Sequence, residues 1–133
     1  MKFLLDNNLP LAAAQALHAI YAQDDHQIFH LRTLFPESVE DVDWIQQARE
    51  RGFQAVVTKD NAIKKVPQER EAWLRSGLTV FFLQRGWQSL KRVEICRCLV
   101  NQWDEIIRLA GHRRRGCGYR VPVKGTKFER VDL

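Results

Sequence analysis

Short apolar runs that stop abruptly at polar residues alternate along this chain with longer stretches of helical spacing. Residues 2–5, KFLL, end at Asp6-Asn7-Asn8 and read as a buried strand. LAAAQALHAIYAQ follows, rich in helix formers, with Leu17, Ile20 and Tyr21 on one side, Asn8 as the expected cap and Pro10 in the first turn. Asp24-Asp25 mark a turn, and QIFHL is a second strand. Ser38 is the expected cap of a helix running to about Arg51, with Val42, Ile45 and Ala48 at helical spacing and Gly52 as its stop. FQAVVT, residues 53–58, is a third buried strand that runs into Lys59-Asp60-Asn61. Pro67 to Ser76 predicts a short helix stopped by Gly77, and LTVFFL a fourth strand.

The longest helix is expected from Ser89 to Ala110, with Val93, Cys96, Val100, Trp103, Ile107 and Ala110 forming one apolar stripe against the core. After Gly111, YRVPV and KFERV flank Lys124-Gly125-Thr126 as a hairpin. Strands alternating with helices imply an α/β fold: a mostly parallel four-stranded sheet sandwiched by helices, with a C-terminal β-hairpin. Functional crevices in such sheets lie at the carboxyl ends of the strands.

Length and charge sharpen this picture. At 133 residues and 45% hydrophobic composition the chain is expected to be one domain, an α/β core at 1–110 and a basic hairpin extension at 111–133. The formal charge of +5 resides in that extension: residues 1–110 hold 14 Lys+Arg and 14 Asp+Glu, whereas 111–133 hold seven basic residues against Glu129 and Asp132. Such a concentration suits a polyanionic partner or a merely solvated tail. No apolar stretch approaches the roughly 20 residues of a membrane helix, and the first ten residues lack a signal-peptide pattern, so a cytoplasmic protein is expected. Cys96, Cys98 and Cys117 form an odd set, and a C-x-C pair on a helix points its sulfurs about 200° apart, which suits neither a disulfide framework nor zinc.

Two acids sit where strands end, Asp6 after the first and Asp60 after the third. Asp41 joins them if the second helix begins at the same edge, although its place three residues after Ser38 suits a capping box equally well. Asp6 could likewise be only a cap or turn former. Converging carboxylates repel one another unless a cation lies between them, and the hard ion that takes such oxygens is Mg²⁺ or Mn²⁺. Held there, the ion would activate water for attack on a phosphodiester and neutralise the leaving oxygen.

Laid out in this order, the residues resemble the PIN-like nuclease superfamily, in the small bacterial branch with an "LLDENL" type segment, here FLLDNNLP at 3–10, and a "DEEI...A...G...VVTKD" type segment, here DVDWIQQARERGFQAVVTKD at 41–60. YRVPVKGTKFERV is similar to the terminal hairpin of PIN-like proteins grouped with toxin ribonucleases. The resemblance implies that Asp6, Asp41 and Asp60 are the catalytic and metal-binding acids, with Thr58 beside them and Asn7, Asn61 and Asp43 as auxiliaries. It also implies a Mg²⁺- or Mn²⁺-dependent endoribonuclease, the toxin of a bacterial toxin–antitoxin pair, whose partners are RNA, an antitoxin protein and a second copy of itself. Lys59, Lys64, Arg85, Arg113, Arg114, Arg115, Arg120, Lys124 and Lys127 are the expected nucleic-acid contacts, and Trp87 either stacks on a base or belongs beside the core. Two departures stand out: Asn7 and Ala62 occupy positions where relatives often carry acids. Fewer acids would favour a PIN-like binding module without catalysis. A receiver-like phosphoacceptor centred on Asp60 is a third reading, but it wants paired acids where the chain has Asn7 and Asn8.

Overall fold

A computed structural model describes residues 1–60, 66–83, 85–112 and 117–133. In chain order the elements are β1 (Lys2–Leu5), α1 (Leu11–Tyr21), β2 (Gln27–His30), α2 (Leu31–Leu34), α3 (Asp41–Glu50), β3 (Ala55–Thr58), α4 (Pro67–Ser76), β4 (Thr79–Leu83), α5 (Arg92–Ala110), β5 (Cys117–Val121) and β6 (Glu129–Asp132). They build one six-stranded sheet in the order β2-β1-β3-β4-β5-β6. The first five strands in that row are parallel and β6 closes the row antiparallel to β5.

The strands read as apolar runs because both faces of the sheet are covered. Phe3, Leu5, Val57, Phe81, Leu83 and Val121 face α1 and α5, where Leu17, Leu99, Trp103 and Ile106 meet them. Leu4, Val56, Val80 and Phe82 face the other way, onto Trp44 and Ile45 of α3 and Trp73 of α4. Thus odd-numbered positions of β1 and β3 point to one layer and even-numbered positions to the other, which fixes the direction of every residue just beyond the strand ends.

The expected mostly parallel sheet and C-terminal hairpin are present, but the hairpin is built into the sheet. Its first strand lies parallel to β4, with Leu83 opposite Val121, which extends the sheet from four strands to six. Gly118 permits this approach: a Cβ there would lie 2.9 Å from the Phe82 ring and 3.0 Å from the Val80 carbonyl oxygen. Both hairpin strands lie farther from the turn than expected, β5 starting and ending two residues earlier than YRVPV and β6 starting two residues later than KFERV, so the connection spans 122–128.

Three local expectations are corrected. Helix α1 begins at Leu11 with Pro10 at the N-cap position and no side-chain cap, so Asn8 does not cap it. Helix α3 is capped at Glu40 without a side-chain bond, which removes Ser38 and the capping box with Asp41. On α5 the buried line is Ile95, Leu99, Gln102, Trp103, Ile106 and Leu109 with Ala110, while Val93 is 63% exposed. This helix carries apolar residues around more than half its girth, so two overlapping stripes compete and spacing alone does not rank them.

Candidate active site at the switch between β1 and β3

The strand order 2-1-3-4-5 reverses direction between β1 and β3, which is where ligands bind in doubly wound sheets. Asp6 and Thr58 both stand at that point. Each has the even parity that turns it toward α3 and α4. Asp6 is only 9% exposed and Thr58 is fully buried. The Thr58 hydroxyl donates to Asp6 Oδ2 at 2.8 Å and accepts from the Asp60 amide at 2.9 Å, so one threonine joins the two strand-end acids. Asp6 Oδ1 accepts from the Asn7 amide at 2.6 Å.

The helices bring further acids to the same place. Asp41 opens α3, and its Oδ1 accepts from Trp44 Nε1 at 2.9 Å, which orients the carboxylate from within its own helix. Glu69 lies in the first turn of α4, directly after Pro67 and Gln68. Both positions suit an anion, since a helix N-terminus carries partial positive charge.

The charges of Asp41 and Asp60 are felt at both Asp6 and Glu69. Burial pushes the Asp6 carboxyl above the usual aspartate range; the Thr58 and Asn7 hydrogen bonds pull it back, and the charges of Asp41 and Asp60 push it up further. Burial, a hydrogen bond with Asp41 and the charges of Asp41 and Asp60 raise Glu69 to about 7. Carboxylates whose proton affinity is raised by burial and by neighbouring acids are the kind of group whose charge a cation would stabilise.

Several sequence expectations find a different place. Glu69 was missed, although the reasoning that selects Asp41, an acid in the first turn of a helix leaving the carboxyl edge, selects it too, and Pro67 marks that turn. Trp87 is fully buried with Nε1 donating to the Val121 carbonyl at 3.0 Å, so it belongs to the core and is not free to stack on a base. Asp43 is exposed on α3. Asn7 is half-buried and its Oδ1 has no hydrogen-bond partner among the described residues. Arg120 and Arg130 lie in β5 and β6, and are paired with Glu129 and Asp132. Asn61, Ala62, Lys64, Arg113, Arg114 and Arg115 fall outside the described residues.

Thr58→Val tests the bridge. The isosteric side chain keeps the core filled but removes the donor to Asp6, so the Asp6 carboxyl is expected to titrate still higher, as a carbon-13 NMR titration would read. Because Thr58 orients rather than reacts, any cleavage activity should fall by about 10- to 100-fold, the usual cost of losing a supporting hydrogen bond.

Among the described residues no helix is long and apolar enough to cross a membrane. No curated protein and no solved structure gives a match to the chain. Residues 1–85, which carry the strand-end acids and both acid-bearing helix starts, match the model of a PIN-like domain. That is more than half of the sequence, and the chain therefore belongs to the PIN-like domain family, whose members are of the nuclease type.

Proposed function

We propose that this protein is a divalent-cation-dependent endoribonuclease that prefers single-stranded RNA, with Asp6, Asp41 and Asp60 holding Mg²⁺ or Mn²⁺ and Glu69 completing the set. The observation that carries the reading is the placing of acids from separate elements at the switch point of the sheet, where Thr58 bonds Asp6 and the Asp60 amide and the charges of Asp41 and Asp60 reach both Asp6 and Glu69. The donor chemistry fits a hard cation: every group is an oxygen, and the buried Asn7 Oδ1 beside Asp6, without a partner among the described residues, is a neutral acceptor that a cation or its hydration shell would satisfy. Once bound, such an ion supplies an activated water and positive charge for a phosphodiester.

The chain's own groups have separable tasks. Asp6, held from both sides by Thr58 and Asn7, is the fixed anchor. Asp41 is set by Trp44, and Asp60 is tied to Asp6 through Thr58. Glu69, with its raised proton affinity, holds a proton near neutral pH in the metal-free protein, which a bound cation would displace. A toxin–antitoxin role, with an antitoxin and a second copy as partners, rests on the resemblance of FLLDNNLP and the terminal hairpin.

A second reading, a PIN-like module that binds RNA without cutting it, is favoured by one observation: among the described residues no three of His, Cys, Asp and Glu are grouped so as to hold a metal as they stand. Incubating purified protein with structured and single-stranded RNAs in Mn²⁺, Mg²⁺ or EDTA separates the two. Cutting confined to the metal lanes supports the nuclease; RNA binding without cutting in any lane supports the module.

A further inference from the structure

The carboxyl edge of the sheet carries more than the acids. Because β5 runs parallel to β3 and β4, the connection that follows it emerges beside the ends of those strands. Going outward from the switch point, the edge presents Lys59 and Asp60 after β3, Arg85 to Ser89 after β4, and Pro122 to Lys127 after β5.

Side chains lace these three segments together. Gln88 Nε2 donates to the Lys59 carbonyl at 3.2 Å, joining the β4 loop to the β3 end. Trp87 Nε1 donates to the Val121 carbonyl at 3.0 Å, and a Cβ on Gly86 would lie 2.9 Å from the Val123 side chain, so the β4 loop is pressed against the start of the β5 turn. Gln102, only 4% exposed within α5, commits its Nε2 to the Pro122 carbonyl at 2.9 Å and the Gly125 carbonyl at 2.8 Å. A buried amide that spends both hydrogens on an exposed turn fixes that turn in place.

The cations on this rim differ from those elsewhere on the hairpin. Arg120 and Arg130, in the bodies of β5 and β6, are neutralised by Glu129 and Asp132. Lys59, Arg85, Lys124 and Lys127 have no ion pair among the described residues, and the last three are exposed. One file of unpaired cations on a rigid rim matches one file of phosphates. Two strand spacings separate β3 from β5, about 10 Å, or about three phosphates of a stacked strand.

We infer that the rim from Lys59 through Arg85 to Lys124 and Lys127 is a one-sided track for the backbone of a single nucleic-acid strand, which runs from the acids across β4 to the β5 turn. The inference rests on the nuclease reading only for the direction in which the strand approaches the acids. Binding itself is independent of cleavage, so the two can fail separately.

The test is fluorescence anisotropy of a labelled single-stranded RNA oligonucleotide in EDTA over a series of KCl concentrations. Each lost phosphate contact lowers the slope of log K against log salt by about 0.7, so Lys124→Ala with Lys127→Ala is expected to lower it by about 1.4. Arg49→Ala with Arg75→Ala removes the same charge from the ends of α3 and α4, at the opposite edge of the sheet, and is expected to leave the slope unchanged. Equal losses in both double variants would mean that net charge alone attracts the RNA and would overturn the track. So would a rim variant with the wild-type slope, or a wild type that does not bind. Rim-dependent binding by a protein that never cuts RNA would sink the nuclease reading and leave the track standing.

Discussion

Asp6→Asn is expected to remove metal-dependent RNA cleavage while leaving the metal-free protein at least as stable as the wild type. A ligand of the ion contributes several kcal/mol to stabilising charge in the transition state, and every 1.36 kcal/mol is tenfold in rate, so the loss should reach about 10³-fold or more. Stability should move the other way. The Asp6 carboxylate is buried and faces the charges of Asp41 and Asp60, which hold its proton affinity above the ordinary aspartate value of 3.8. At neutral pH the metal-free fold therefore carries a charge that it would rather not ionise, and an amide of the same shape relieves it. The amide can still accept from the Asn7 amide, and the Thr58 hydroxyl can turn to accept from it in turn. Cleavage rates and melting temperatures in EDTA are the two readouts. Loss of cleavage together with a drop of several degrees would return Asp6 to a structural role; undiminished cleavage would remove it from the site.

That combination, a costly charge in an otherwise apolar strand end, is also what made Asp6 visible in the sequence. FLLDNNLP and AVVTKD each run an apolar strand straight into an acid, and period-2 geometry then sends Asp6 and Thr58 to the same side of the sheet. Asp41 was legible as an acid at a helix start, but local signals left it even between cap and ligand and only the family resemblance turned it toward ligand; the structure removes the capping box, since α3 is capped without Ser38. Glu69 was overlooked because Pro67 to Ser76 read only as a short helix stopped by Gly77, with no chemistry of its own. Its contact with Asp41 joins residues far apart in sequence, which no local pattern encodes. The same is true of the rim: Gln102 and the 122–128 turn are brought together by β5 docking on β4, and Gly118 is the one residue whose local signal hints at so close an approach. Position along α5 was misread for the opposite reason, an excess of local signal. With Ile95, Cys96, Leu99, Val100, Ile106 and Ile107 all apolar, the spacing fits two faces, and the sheet chose the one that includes polar Gln102.

Glu69 gives the second large effect, a stability that falls as pH rises unless a divalent cation is present. Folding lifts its proton affinity from the ordinary 4.5 to about 7, so between those values the folded chain holds a proton that the unfolded chain has released. Stability from that proton is fully present below pH 4.5 and is lost as the pH climbs through about 7, and Asp6 acts in the same direction from its own lower starting point. In EDTA, melting temperature should therefore decline across this window, and Glu69→Gln should flatten the decline by removing the group with the larger excursion. A cation reverses the sign, because it binds the ionised carboxylates and displaces the proton, so its affinity should rise with pH over the same range. At pH 7.5 and a hundredfold excess over the dissociation constant, Mn²⁺ is expected to add about 2.7 kcal/mol, or roughly 10 °C for a chain of this size, with a smaller gain in Glu69→Gln. Differential scanning calorimetry at several pH values, with and without Mn²⁺, reads all of this without any substrate. An unchanged pH slope in Glu69→Gln would show that Glu69 stands apart from the acid set; a slope that flattens, together with a weakened response to Mn²⁺, would make the proton on Glu69 the stand-in that occupies this site until the metal arrives.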